Sequence, residues 1–137
     1  MAAALVSPPK SRIETEVLRI RGLLEKRQFS QALAAAEALL IEVPENRDVW
    51  YMLAVSQRYL GRVPDALATL ARFEKLHPDY SRLFQERGHC HVALRAAEPA
   101  IEAYLRAVNI NPALPASWKA LQTLFRMTGQ EIGRAHV

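Results

Sequence analysis

The sequence predicts an all-α solenoid built from repeated helix pairs, about three repeats followed by one further helix. Three residue classes predict it by sharing one interval. Pro44, Pro78 and Pro112 stand 34 residues apart, Ala32, Ala66 and Ala100 keep that interval, and so do Trp50, Phe84 and Trp118. A closing proline, a small residue at a helix contact and an aromatic near a helix start answer different structural demands. Their common period therefore marks a repeated supersecondary unit. The clearest copy is Arg47 to Tyr80, RDVWYMLAVSQRYLGRVPDALATLARFEKLHPDY. Trp50, Leu53 and Ala54 fall at helical spacing, Gly61 interrupts, Ala66, Leu70 and Phe73 share a second helical face, and Pro78 ends the unit.

The chain then divides in order. Met1 to Lys10 is small, apolar and broken by Pro8 and Pro9, and a disordered lead over residues 1–10 is expected. Ser11 with Glu14 three residues later is a capping-box pattern that starts the first helix of a unit over residues 13–46. Val17, Ile20, Leu23 and Leu24 line that helix; Ala32, Leu33, Ala36, Leu39 and Leu40 line the next, which Pro44 stops. In the second unit, residues 47–80, Asn46 is the expected N-cap and Pro64 fits the first turn of the second helix. The third unit, residues 81–114, keeps Phe84, Gly88, Ala100, Tyr104, Ala107 and Pro112, with Pro99 in a first helical turn. A partial fourth, residues 115–130, supplies one helix with Trp118, Leu121, Leu124 and Phe125 on its apolar face and Gly129 at its turn.

The period and its residue pattern resemble the tetratricopeptide repeat, TPR. The resemblance covers about Ile13 to Gln130 and implies a right-handed solenoid of antiparallel helix pairs. It also assigns Gly88 a role: a small residue there lets paired helices approach closely, offsetting the helix propensity glycine lacks. The first unit departs from the pattern, with Glu16 and Arg19 where an aromatic and a leucine are usual, and reads as a capping repeat. The pattern also fails after Gly129, because Arg134 stands where the period asks for alanine. The terminal EIGRAHV reads as a translated short-read sequencing adapter, so residues 131–137 are expected to be a non-native tail.

Composition removes several function classes. The 137 residues are 50% hydrophobic, with net charge +4 and an isoelectric point near 9.6. The positive excess is scattered rather than clustered on one face, so no nucleic-acid partner is expected. Cys90 is the single cysteine, which forbids an internal disulfide and fits a reducing compartment. No segment approaches the roughly 20 apolar residues of a membrane span, and the N-terminus lacks a basic signal-peptide region. A soluble, cytoplasmic protein without a membrane partner is expected.

Candidate chemistry is sparse. His89–Cys90–His91 invites a metal reading, but neighbouring residues on a helix are rotated by about 100°. Neither histidine has a His, Cys or carboxylate partner four residues away, so core packing is expected instead. Glu98, Glu102 and Arg106 read as a solvated stripe with Arg106 as ion-pair partner. No phosphate-binding loop, GxSxG or HExxH is present. No catalytic residue, cofactor or metal is expected in this chain.

What remains is a groove. In the TPR pattern the second, fifth, ninth and twelfth residues of each first helix face the concave surface. Carried onto this chain, these are Glu14, Val17, Arg21 and Leu24; Asp48, Tyr51, Val55 and Arg58, with Tyr59 adjacent; Arg82, Gln85, His89 and Val92; and Ala116, Lys119, Thr123 and Arg126. The set tilts basic with Tyr51 and Tyr59 at its middle, and Tyr and Arg are enriched at binding hot spots. The resemblance thus implies a scaffold that binds a protein or peptide, with no catalysis. The carboxylate clamp that some TPRs use for chaperone tails is not built: its places hold Val17, Arg21, Met52, Arg82 and Glu86, or, one repeat later, Tyr51, Val55, Glu86, Ala116 and Ala120. As an alternative, FEKLHPDYSRLFQERGHC and AVNINPALPASWKALQTLFRMTGQ resemble the N-terminal repeats of bacterial TPR-containing sulfotransferases, which implies a truncated piece of a larger enzyme. The helix after Pro115, lacking its next partner, is expected to promote self-association.

Overall fold

The computed structural model describes residues 10–129 as seven α-helices: α1 (Arg12–Glu25), α2 (Phe29–Glu42), α3 (Arg47–Tyr59), α4 (Val63–Leu76), α5 (Ser81–Ala93), α6 (Ala97–Ile110) and α7 (Pro115–Met127). Apart from Lys10, the expected disordered lead lies outside the described residues, as do Gln130 and the expected non-native tail.

Local chemistry sets the helix starts. The Ser11 hydroxyl accepts from the Glu14 N–H at 3.1 Å while the Glu14 carboxylate accepts from the Ser11 N–H at 3.3 Å, closing the capping box. Asn46 caps α3 by accepting from the Val49 N–H at 3.1 Å. Pro64 sits in the first turn of α4 and Pro115 in that of α7, where a missing N–H leaves no bond unmade.

Consecutive helices pack in pairs, and the pairs stack. The odd helices also touch one another (α1 with α3, α3 with α5, α5 with α7), whereas no even helix contacts another even helix among the described residues. Closer spacing on the odd side means the stack curves with α1, α3, α5 and α7 inside. Three clusters form its core in sequence: Ile20, Ala36 and Leu39 with Val49; Trp50, Ala66 and Phe73 with Phe84; and Ala100, Tyr104 and Ile101 with Leu121 and Phe125. Ala32, Ala66 and Ala100 are fully buried. The indoles repeat a tether two units apart: Trp50 Nε1 donates to the Pro44 carbonyl and Trp118 Nε1 to the Pro112 carbonyl, both at 2.8 Å.

Gly88 is the point of closest approach in the third unit. A Cβ built there would lie 2.6 Å from the Tyr104 ring, so only glycine fits. The turns after the odd helices place residues 27, 61, 95 and 129, again 34 apart, in the left-handed region, with φ of 59°, 80°, 58° and 73°. In the first three the following N–H reaches back six residues inclusive, Gln28 to the Leu23 carbonyl, Arg62 to Gln57 and Ala96 to His91, which is the Schellman closure. Two of the four positions are glycine; the other two are Arg27 and Arg95.

One expectation changes. Arg106 does not pair with Glu102: its guanidinium lies over the Phe84 ring at 4.0 Å and contacts Glu74 at 3.2 Å, because α5 brings Phe84 and Arg87 beside it. On α7, Leu121, Leu124 and Phe125 are spent on the seam with α6 and Trp118 is half-buried. Met127 is the one large apolar side chain of α7 left exposed among the described residues.

Candidate functional site on the concave face

The odd helices carry the residues the repeat register points inward, and the structure divides them into two groups. The first is engaged within the protein. Arg58 on α3 forks onto Glu86 on α5, with Nε and Nη2 donating to its two carboxylate oxygens and the second contact at 3.2 Å. Glu86 is 1% exposed, so a carboxylate there requires this bidentate partner. Burial would lower the guanidinium's pKa, but the hydrogen bond and charge of Glu86 outweigh it and hold Arg58 above its ordinary value. Gln85 is buried and its side-chain carbonyl accepts from the Ser117 hydroxyl at 2.7 Å, joining α5 to α7. His89 Nδ1 lies 2.5 Å from the Tyr104 hydroxyl. Burial, assisted by the Arg58 charge, pushes His89 down to about 4, and burial pushes the Tyr104 phenol up. The neutral ring therefore accepts the phenol proton in a hydrogen bond. Val17 and Val55 are buried.

The second group faces solvent. Tyr51 is half-buried and meets Tyr80 edge-on, with ring centroids 6.0 Å apart at 89°. Burial raises the Tyr51 phenol, with Glu86 adding to the shift and Arg82 opposing it. Burial raises the Tyr80 phenol, with the charges of Arg47, Arg82 and Arg21 opposing the shift and that of Asp48 adding to it. The Arg47 guanidinium stacks over its ring at 4.5 Å and touches Asp48 at 3.6 Å. Arg21 and Arg82 are exposed. The tyrosine pair, contributed by α3 and the start of α5, thus carries the Arg47 guanidinium on one ring, with Asp48 beside that cation.

Tyr59 does not join Tyr51. It stacks on Phe29 of α2 at 4.5 Å with rings parallel to 1°, and Arg27 and Arg58 lie over it. The aromatic partner of Tyr51 is Tyr80, which the inward register omits because it precedes α5 and caps it. Its signal was a place two residues before Arg82, with Arg47 33 residues back, close to one repeat. Lys119 and Arg126 are exposed on α7, and neither has an ion-pair partner among the described residues.

The His89–Cys90–His91 cluster is dispersed by the helix. Cys90 is fully buried, His89 is taken by Tyr104, and His91 is half-buried on the other side. Among the described residues no group of His, Cys, Asp and Glu converges to hold a metal ion, and no helix is long and apolar enough to cross a membrane.

Comparison with known proteins agrees on the fold. The first TPR domain of human RPAP3 superposes with a TM-score of 0.79 at 15% identity, covering 85% of this chain and 92% of that one. The first TPR of Spaghetti, solved with the HSP90 peptide SRMEEVD, gives 0.77 at 15% identity, with 87% and 94% covered. PcrH from Pseudomonas aeruginosa, solved with the chaperone-binding region of PopD, gives 0.72 at 16% identity, with 90% and 92% covered. No curated protein sequence matches the chain. Neither the family model nor these structures lend support to the sulfotransferase resemblance. The tetratricopeptide repeat model matches residues 17–81 and again 51–117, and with that coverage the chain belongs to the tetratricopeptide repeat family.

Proposed function

We propose that the chain is a scaffold that binds an extended or helical peptide of acidic and apolar character on its concave face, without catalysis. The observation that carries this reading is the edge-on Tyr51–Tyr80 pair with the Arg47 guanidinium stacked on it and Arg82 exposed on the first turn of α5. Rigid aromatic rings offer contact area at little entropy cost, and guanidinium groups add charge-assisted hydrogen bonds to carboxylates. Arg58 contributes indirectly, since its charge is already matched by Glu86. The similar Spaghetti and PcrH domains were solved with peptides or partner segments bound, which supports peptide binding as the use of this face. The ligand class differs from a chaperone tail, because the clamp places here hold buried Val17 and Met52 and the paired Glu86.

The test is a peptide library screened against the wild type and the Tyr51→Ala/Arg82→Ala variant. Hits are expected to be rich in Glu, Asp and large apolar residues and to weaken about tenfold or more in the variant, one such factor being about 1.4 kcal/mol. Hits that bind both forms equally remove the tyrosine cluster from consideration. Sulfuryl transfer from a phosphosulfate donor by this chain would overturn the non-catalytic part of the reading.

A further inference from the structure

The three seams between odd helices present the same register positions with different chemistry. Between α1 and α3 the places are Leu24, Met52 and Val55, large apolar side chains, of which Met52 and Val55 are buried and Leu24 partly so. One period on, between α3 and α5, they are Arg58, Glu86 and His89: the ion pair crosses the seam, and His89 beside it is held by Tyr104 of α6. One period further, between α5 and α7, they are Val92, Ala120 and Thr123. These are smaller and lack the reach to meet, and a cleft of about 550 Å³ opens there. Tyr104 and Leu124 contribute to its wall, while Val92 and Met127 remain 45% and 75% exposed. Arg95 and Lys119 also line it, and no carboxylate pairs with either among the described residues.

We infer that this cleft is the anchor pocket of the peptide site, taking a large apolar side chain whose neighbours in the peptide are carboxylates. The inference rests on the peptide-binding reading and fixes where and by what chemistry the ligand is held. The volume lies in the range of ligand pockets, and burying one leucine or phenylalanine is worth enough to dominate a short peptide's affinity. The two cations at the wall select acidic flanks and reject basic ones, which gives the pocket specificity. The same cations disfavour occupation by a basic helix.

The probe is a short fluorescein-labelled peptide with two adjacent leucines flanked on both sides by glutamates, followed by fluorescence anisotropy. Control peptides replace the leucines by serine or the glutamates by lysine. Wild type is expected to bind the probe and to bind each control about tenfold more weakly or worse. Ala120→Phe, which fills the cleft, is expected to weaken the probe about tenfold. Met127→Glu alters only an exposed side chain at the mouth, so folding is not at issue, and the same direction is expected. Lys119→Glu should lower affinity most at low salt. A wild type that ignores the probe, or cleft variants that bind it as wild type does, overturns the inference. So does an effect of Ala120→Phe confined to the sedimentation profile, which would make the occupant a second copy. Library hits lost in Tyr51→Ala/Arg82→Ala yet kept in both cleft variants sink the pocket and leave the broader groove standing; hits unaffected by any of these variants sink both.

Discussion

Arg95→Gly should stabilise the protein, against the ordinary expectation for a glycine substitution. Arg95 holds φ near 58° at the turn between α5 and α6, a conformation that costs a residue with a Cβ about 1–2 kcal/mol. Glycine removes that strain but adds freedom to the unfolded chain worth roughly 0.4–1 kcal/mol. The net expected gain is about 0.5–1 kcal/mol, which moves the thermal midpoint by a few degrees, about 3 °C, for a domain of this size. Arg27→Gly supplies the internal control. Its strain is the same, with φ near 59°, but its guanidinium lies 5.2 Å from the Phe29 ring centroid and 5.5 Å from that of Tyr59. Losing cation–π contacts at a partly exposed site costs about 0.5–1 kcal/mol, so this variant should be close to neutral. The reverse change, Gly61→Arg, should destabilise by about the amount Arg95→Gly gains. Urea unfolding of the three variants reads the differences as shifts in midpoint at constant slope. A lowered midpoint for Arg95→Gly, or an equal gain for Arg27→Gly, would refute the strain argument.

Gly88→Ala should cost about 1–3 kcal/mol by overpacking, since its Cβ would meet a buried Tyr104 ring that His89 holds in place; a thermal midpoint equal to wild type would show that the ring can move. Ala100→Leu, at a fully buried position in the α6 seam, should destabilise in the same range, and an unchanged midpoint would mean the third repeat is packed differently. Cys90 is fully buried and its thiol is pushed up to about 12, so Ellman's reagent should react with the native protein only as fast as the helix pair opens, and rapidly in urea; prompt native reaction would contradict the burial. His89 is held down to about 4 when folded against about 6.5 unfolded, so the unfolded chain takes up the proton first on acidification. Stability carried by the neutral ring is complete above about pH 6.5 and is lost as pH falls toward 4, by about 2 kcal/mol after allowance for partial exposure. His89→Gln should flatten that part of the pH profile relative to wild type, and parallel profiles would exclude the histidine as its source.

The periodicity made the fold legible because backbone demands recur with the unit. Proline, aromatic and alanine positions each answer a constraint of the helix pair, and the structure buries Trp50, Phe84, Ala66 and Ala100 accordingly. The left-handed turns were equally periodic, at 27, 61, 95 and 129. Only the glycines announced themselves, because arginine is an ordinary residue whose strain shows only in φ. The groove was legible in outline and not in content. Helical spacing says which face a side chain takes, but whether its charge is free depends on a residue of the next odd helix. Arg58 finds Glu86 28 residues on, and Gln85 finds Ser117 32 residues on. Both intervals are shorter than the repeat, so pairing each inward residue with the facing positions of the next odd helix would have exposed both bonds. Tyr80 escaped for a different reason: it is an N-cap, and the inward register begins inside the helix.

A solenoid lets its seams vary independently, since each repeat contacts only its neighbours. The three odd-helix seams of this chain use that freedom at one set of positions. Leu24, Met52 and Val55 close the first with apolar bulk, and Arg58 and Glu86 close the second with paired charge beside the neutral His89. Either solution, copied forward by one period, would have filled the third. Instead Val92, Ala120 and Thr123 leave about 550 Å³ open beside Tyr104, forgoing packing that a dense interior normally captures. Departures from local packing consistency that bring no stability are where binding surfaces are found. The open seam lies on the same inner side as the Tyr51–Tyr80 cluster, on α5 and α7 where that cluster draws on α3 and the start of α5. A peptide running along the odd helices from α3 to α7 would therefore meet the tyrosines and Arg47 first and the apolar cleft next. That order asks for carboxylates ahead of a large apolar residue.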